Sequence, residues 1–133
     1  MVMRLRYWQT GPALITSVPL SETETWASEK LGPHTELVSS IGADFGAGHP
    51  IDVRAIGLRH TPDPNSSIGL AVLMASTTSY DWRPVVALAL NKDGAMHTYC
   101  VPPSGAYRFW KLIAADNPKY NHAWQIVTLA FYQ

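Results

Sequence analysis

Three polar segments of the chain contain residue types that bind small polar ligands: residues 61–67, 76–84 and 115–122. Tyr80 and Trp82, in the second segment, offer flat aromatic faces on which a sugar ring could stack. The candidates for hydrogen bonds to sugar hydroxyls are Asp81, Arg83, Asn117, Asn121 and His122. These residues predict a ligand-binding surface built from loops, where binding residues are concentrated in folded proteins.

The histidines form no recognised metal-binding motif. None of the five, at positions 34, 49, 60, 97 and 122, has the i, i+4 helical spacing of a zinc protease. His49 with Asp52, or His34 with Glu36, offers two ligands, whereas a stable zinc site needs three or four. We therefore expect no metal site and no cofactor.

An enzyme is the weakest of the functional interpretations. No serine lies in a Gly-x-Ser-x-Gly elbow. Residues 42–48 are rich in glycine but lack the lysine and the following helix of a phosphate-binding loop. A Ser–His–Asp triad stays an open alternative, because such triads are defined by geometry and not by residue order. We expect no catalytic residues.

The length and the net charge of the chain limit the classes of protein to which it can belong. The 133 residues are enough to bury a core without metals or disulfides, so we expect one domain spanning residues 1–133. Ten basic and ten acidic residues cancel, which gives no electrostatic attraction to nucleic acid or to an anionic membrane. A neutral chain also lacks the charge repulsion that keeps small proteins apart, which favours a homo-oligomer.

Cys100 is the only cysteine, which excludes an intramolecular disulfide and a multi-cysteine zinc site. It lies in a strand-like run, so we expect a buried structural thiol. No window contains the roughly 20 apolar residues of a membrane helix. Residues 1–8 are not followed by an apolar stretch of signal-peptide length. We expect a soluble protein without a signal peptide.

The elements that must position the candidate residues are short strands. Residues 107–114 are densely aromatic and contain no glycine or proline, which predicts a central strand with large side chains buried on one side. The Asp-Gly pair within residues 91–94 predicts a hairpin turn between strands at 85–90 and 95–101. The other predicted strands are residues 36–45, 51–60, 68–75 and 123–131.

Residues 1–19 contain further β-prone pieces, which predict an N-terminal arm or edge strands. The total is about eight short strands with Gly- and Pro-rich turns and little helix. This pattern is typical of an all-β, single-domain antiparallel β-sandwich or jelly roll. The loops of a sandwich gather at its two ends, so the candidate binding residues should lie there.

The order of these features resembles the discoidin or galactose-binding-like family, the β-sandwich of coagulation-factor C-type domains. The resemblance covers roughly residues 25–131. It implies that the equivalent of Trp82 packs inward, which is the alternative to a sugar-stacking role. In relatives a loop carboxylate such as Asp44 or Asp116 helps to hold calcium, although nothing in this chain singles out such a site. The matching elements are residues 25–28 (TWAS), 43–46 (ADFG), 53–58 (VRAIGL), 76–82 (STTSYDW), 106–112 (AYRFWKL) and 124–131 (WQIVTLAF).

The chain departs from the family in two respects. It lacks the terminal cysteine pair of the extracellular members, and residues 76–82 lack the family's Asp-Gly pair. Residues 107–112, followed by the loop 116–121, are similar to compact versions in bacteriophage tail, baseplate and capsid-associated proteins.

Two hypotheses of function follow. The first is a non-catalytic structural subunit of a virus particle, located in the virion and docked to other virion proteins. The second is a free-standing carbohydrate-binding, lectin-like module whose partner is a glycan, bound by the aromatic loop residues.

Overall fold

The computed structural model describes residues 13–16, 26–28, 30 and 39–133. Strands make up 47% of these residues and helix only 3%, because runs of β-branched and aromatic residues alternate with Gly- and Pro-rich turns. One short 3-10 helix, Pro64–Ser66, lies between two strands. The nine described strands are β1 (Ala13–Thr16), β2 (Trp26–Ala27), β3 (Ser40–Asp44), β4 (Ala55–His60), β5 (Leu70–Ser76), β6 (Arg83–Ala89), β7 (His97–Cys100), β8 (Phe109–Ala114) and β9 (Gln125–Tyr132).

The strands form two antiparallel sheets that pack across one core. The larger sheet has the order β1-β3-β8-β5-β6, and the smaller sheet has the order β2-β9-β4-β7. Strand β8 is central in the larger sheet, as predicted, and its Leu112 lies opposite Ile41 of β3 and Leu73 of β5. The predicted all-β antiparallel sandwich is confirmed.

The predicted hairpin between β6 and β7 is wrong. Strand β6 pairs with β5 in the larger sheet, whereas β7 pairs with β4 in the smaller one. The Asp-Gly turn is present, with Gly94 at a φ of 74°. The seven residues between β6 and β7 nevertheless carry the chain from one sheet to the other, because the side chains of Val86 and Tyr99 must both reach the core.

The core is filled by the inward rows of both sheets. Trp110 is fully buried, and its indole Nε1 donates to the carbonyl oxygens of Ile51 and Tyr107, at 3.1 Å each. A buried indole needs such a partner, because an unpaired polar group in the core is costly. The other large, fully buried side chains are Ile41, Ile56, Leu58, Ile68, Leu73, Leu112, Trp124, Ile126 and Phe131.

The loops lie at two opposite ends of the sandwich. Ala114, at the end of β8, pairs with Ala71, and Phe109, at its start, pairs with Ser76. One end therefore contains the loops 61–69, 90–96 and 115–124, and we call it the Tyr120 end. The opposite end contains the loops 45–54, 77–82 and 101–108, and we call it the Tyr80 end.

Cys100 is exposed, so the prediction of a buried thiol is wrong. It lies on β7, an edge strand whose side chains alternate between the core and solvent, and its neighbour Tyr99 takes the inward position. At the other edge of the fold, β1 is an edge strand of the larger sheet, and the rest of residues 1–19 lies outside the described residues. Among the described residues, no helix is long and apolar enough to span a membrane.

Candidate functional site

The seven predicted binding residues do not lie in one place. Tyr80, Asp81 and Trp82 lie in the loop between β5 and β6, and Arg83 begins β6, all at the Tyr80 end. The remaining three, Asn117, Asn121 and His122, lie in the loop between β8 and β9, at the Tyr120 end. The six residues of β8 separate the two loops by about 17 Å, at roughly 3.4 Å per residue. One small ligand cannot contact both groups.

At the Tyr80 end, Trp82 is engaged in contacts within the chain. Its indole Nε1 donates to the Ser79 carbonyl at 2.9 Å, and Phe109 packs edge-on against its ring. The Lys111 ammonium lies 4.0 Å from the centroid of the same ring, a cation–π contact that covers one indole face. Burial lowers the pKa of Lys111. Trp82 is half-buried, and these contacts link the loop between β5 and β6 to β8.

Tyr80, in contrast, projects into solvent with 88% of its surface exposed. Its loop is held by two hydroxyl groups that accept backbone hydrogen bonds. Ser76 Oγ accepts from the N–H groups of Thr78 and Ser79, at 3.1 and 2.9 Å. Thr78 Oγ1 accepts from those of Tyr80 and Asp81, at 3.2 and 3.1 Å. The exposed ring therefore stands on an ordered loop.

At the Tyr120 end, two loops are joined into one surface. The Lys119 N–H donates to the Asn65 carbonyl at 3.0 Å, and the Gly69 N–H donates to Asp116 Oδ2 at 2.9 Å. Asp63 orders the first of these loops, since its Oδ1 accepts from the Asn65 N–H at 2.9 Å. The backbone N–H groups of Gly69 and Asn117 hold the pKa of Asp116 below its usual range, so this carboxylate stays charged.

Tyr120 stands on this joined surface with 61% of its area exposed. The following residue, Asn121, has a φ of 62°, a left-handed conformation that asparagine tolerates and that turns the loop. The His122 N–H at Nδ1 donates to the Tyr120 carbonyl at 3.0 Å, which leaves Nε2 as an acceptor in the neutral ring. Within the described part of the chain, the side chains of Asn65, Lys119 and Asn121 have no hydrogen-bond partner.

A buried histidine ties the base of this surface together. His60 is 1% exposed, and its Nδ1–H donates to the Asn91 carbonyl at 3.0 Å. Its Nε2 accepts from the indole N–H of Trp124 at 2.9 Å. These two bonds require the neutral ring with the proton on Nδ1, and burial lowers the pKa of His60 accordingly. His60 thereby connects all three loops of the Tyr120 end.

The two carboxylates considered for calcium have other partners. Arg108 contacts Asp44 in a two-pronged ion pair, with Nε and Nη2 at 2.7 and 2.9 Å from the carboxylate oxygens, and it lowers the pKa of Asp44. Asp116 accepts the two backbone N–H groups described above. Across residues 39–133 and the other described positions, no group of three or more His, Cys, Asp or Glu side chains is arranged to hold a metal.

Sequence reasoning missed Tyr120 and Asn65 as candidate residues. Both lie in segments that had been singled out as polar loops, 115–122 and 61–67. The sequence signal for Tyr120 is a tyrosine inside an otherwise polar loop, because a ring in such a loop lies outside the core. The contact between the two loops joins residues 54 positions apart and has no local signature.

Comparison with known proteins places the fold. The sequence matches no protein-family model and no curated protein. Among solved structures, the C-terminal domain of a chitobiase from Bacteroides fragilis is 23% identical, with a TM-score of 0.65 over 84% of this chain and 72% of that domain. A family 32 carbohydrate-binding module from Clostridium perfringens, solved with GalNAc-β-1,3-galactose, is 14% identical, with a TM-score of 0.67 over 98% of this chain and all of the module.

A second family 32 module from Clostridium perfringens, solved with galactose, is 12% identical, with a TM-score of 0.67 over the full length of both chains. These structures give no support to the predicted bacteriophage association or to a place in the virion. The chain has the discoidin or galactose-binding-like β-sandwich fold that these carbohydrate-binding modules share.

Proposed function

We propose that the chain is a non-catalytic carbohydrate-binding module and that its glycan-binding surface lies at the Tyr120 end. Two modules with this fold were solved with galactose-containing sugars, which makes a glycan the favoured class of ligand. At identities of 14% and 12% this likeness concerns the fold, so the proposal depends on the surface of this chain. The virus-particle hypothesis has no comparable support.

The observation that carries the proposal is Tyr120, an exposed ring whose two chain neighbours, Lys119 and Asn121, have side chains without a hydrogen-bond partner within the described part of the chain. A sugar ring presents a face of C–H groups and a rim of hydroxyls. The tyrosine face packs against the first, and amide or imidazole groups bond to the second. The Tyr80 end offers fewer such groups, because the Trp82 indole N–H already donates to the Ser79 carbonyl.

Each polar group at the Tyr120 end has a role that follows from its chemistry. Asn65 and Asn121 present amides that both donate and accept, which suits hydroxyl groups. His122 offers Nε2 as an acceptor, and Lys119 offers an ammonium donor. Asn117 lies one residue from the ordered Asp116 carboxylate, at the base of the same loop.

The joined loops favour binding because they are ordered before the ligand arrives. Hydrogen bonds from Lys119 to Asn65 and from Gly69 to Asp116 hold both loops in place. Immobilising side chains and loops costs free energy on association, and a surface that is already ordered avoids part of this cost. We therefore expect binding without a large loop rearrangement.

The proposal is tested by replacing the ring. Isothermal titration of galactose and of GalNAc-β-1,3-galactose into the wild-type chain should show binding, and Tyr120→Ala should weaken it at least about tenfold, or roughly 1.4 kcal/mol. Tyr120→Phe should retain most of the affinity, because the stacking face remains.

The matched control is Met96→Ala. This variant also truncates a large exposed apolar side chain, 44% exposed, in the loop 90–96, where its methyl end lies over Gly57 of β4 and not in the joined loops 61–69 and 115–124. Its affinity should equal that of the wild type, and the melting temperatures of all variants should agree within a few degrees. Wild-type affinity in Tyr120→Ala would contradict the placement of the site.

A further inference from the structure

We propose that the Tyr80 end holds a second glycan-binding site, so that one chain binds two sugars at opposite ends of the sandwich. This inference rests on the proposed function and extends it from one site to two. The second ligand belongs to the same chemical class, a sugar with an apolar ring face and hydroxyl groups.

The first support is the unusually high solvent exposure of Tyr80. Of the described residues, it is the most exposed large hydrophobic side chain, at 88%. A flexible loop could fold such a ring back onto the protein, but four hydrogen bonds to Ser76 Oγ and Thr78 Oγ1 hold this loop open. Ser76 itself is buried, and Ser79 adopts a left-handed φ of 68°. The loop is thus ordered in a conformation that keeps the ring in solvent.

The second support is the packing of Trp82, two residues after Tyr80 in the same loop. The Trp82 indole is fixed by its hydrogen bond to the Ser79 carbonyl, by Lys111 against its face and by Phe109 against its edge. These contacts fix the loop to β8 through Trp82. A binding group held on a braced loop loses little conformational entropy when it takes up a ligand.

The third support is the polar chemistry beside Tyr80. Asp81 is exposed, and its carboxylate has no partner among the described residues. Arg83 donates through Nη1 to the Tyr107 hydroxyl at 2.6 Å, and its guanidinium lies 5.8 Å from the Tyr107 ring centroid. Since a guanidinium has five N–H donors, four remain for a ligand. An aromatic face, a carboxylate and a guanidinium together match a ring with hydroxyl groups.

The positions of Tyr80 and Tyr120 determine how the two sites could bind glycans together. About 17 Å of β8 lies between their loops, so neither ligand excludes the other. The two sites face opposite directions along the strands, which suits contact with two glycan chains or two branches. Binding to a multivalent glycan would then gain affinity by avidity.

The test is an amide NMR titration of the ¹⁵N-labelled chain with galactose and with GalNAc-β-1,3-galactose. Saturable shifts are expected in two separate groups of amides, one in residues 76–83 and one in residues 115–124. In Tyr80→Ala the first group should stop responding while the second is unchanged. In Tyr120→Ala the pattern should be reversed.

The possible failures can be told apart. Shifts confined to residues 115–124, unaffected by Tyr80→Ala, would overturn the second site and leave the proposed function standing. Absence of shifts at both ends in the folded chain would overturn both. Loss of both groups of shifts in either single variant would show one coupled site and would also overturn the inference.

Discussion

Tyr80 and Tyr120 are exposed for a structural reason and not by accident of composition. Each follows a residue whose backbone is fixed by a hydrogen bond: Ser79 by Ser76 Oγ, and Lys119 by the Asn65 carbonyl. A large aromatic ring usually gains free energy by burial, about 25 cal/mol for each Å² removed from water. Leaving two rings in solvent on ordered loops forgoes that gain, which is the expected cost of a binding surface.

His60 makes stability depend on pH. Its ring is neutral in the folded chain because Nε2 must accept the Trp124 indole N–H, and burial lowers its pKa. The unfolded chain binds a proton below about pH 6.5, whereas the folded chain resists protonation until lower pH. The contribution of His60 to stability is therefore complete above about pH 6.5 and declines as pH falls below it.

Urea denaturation at intervals from pH 8 to pH 5 measures this effect. The midpoint should fall on acidification in the wild type and should change much less in His60→Gln, whose amide keeps a donor and an acceptor but does not titrate. Carboxylates with lowered pKa values, such as Asp44 and Asp116, lose their contribution only at more acidic pH. An equal decline in His60→Gln would show that another group is responsible.

At the scale of the elements, Gly42 sets how closely β3 and β8 approach. A Cβ at this position would overlap the carbonyl oxygen of Trp110 and lie 2.5 Å from Lys111 Cα. Both are backbone atoms of the central strand, so they cannot move without distorting the sheet. Gly42→Ala should destabilise the chain by about 2–3 kcal/mol, the upper range for overpacking.

The matched control for Gly42→Ala is Gly57→Ala in the other sheet. There the added Cβ would meet the end of the Met96 side chain at 2.6 Å and the Tyr132 ring at 3.0 Å, which can shift. Its loss of stability in urea denaturation should be clearly smaller than that of Gly42→Ala. Equal losses in the two variants would contradict a special role for the β3–β8 contact.

The sequence predicts individual strands well because strand formation is encoded locally. The aromatic run around Trp110 and the apolar run around Leu73 each form a strand close to the predicted one. Strand partners are encoded less clearly, as β6 and β7 show. A turn sequence predicts a reversal of the chain, but which sheet receives the next strand depends on the burial of Val86 and Tyr99 in the assembled core.

At the scale of the whole molecule, the sequence predicts the loops of the candidate site but not how the fold arranges them. Polar loops are recognisable in the sequence, and all seven predicted residues lie in loops or at a strand end. Their division between opposite ends follows from the direction of β5 and β8 in the sheet, which no local pattern contains. The partner of Asn65 in the Tyr120 surface is likewise set by the topology.

The predicted homo-oligomer stays a prediction. Its basis is the balance of ten basic and ten acidic residues, which removes long-range repulsion between copies. A chain with two binding ends does not need to oligomerise in order to join two glycans. The oligomeric state therefore bears on avidity and not on the existence of the sites.

A glycan array probed with the purified chain, beside Tyr120→Ala at the same concentration, tests the central claim most directly. We predict a defined set of bound glycans for the wild type, with galactose-containing sugars among them, and a weaker signal on the same spots for the variant, which keeps only the Tyr80 end. A correctly folded wild-type chain that binds no glycan on the array would contradict the account.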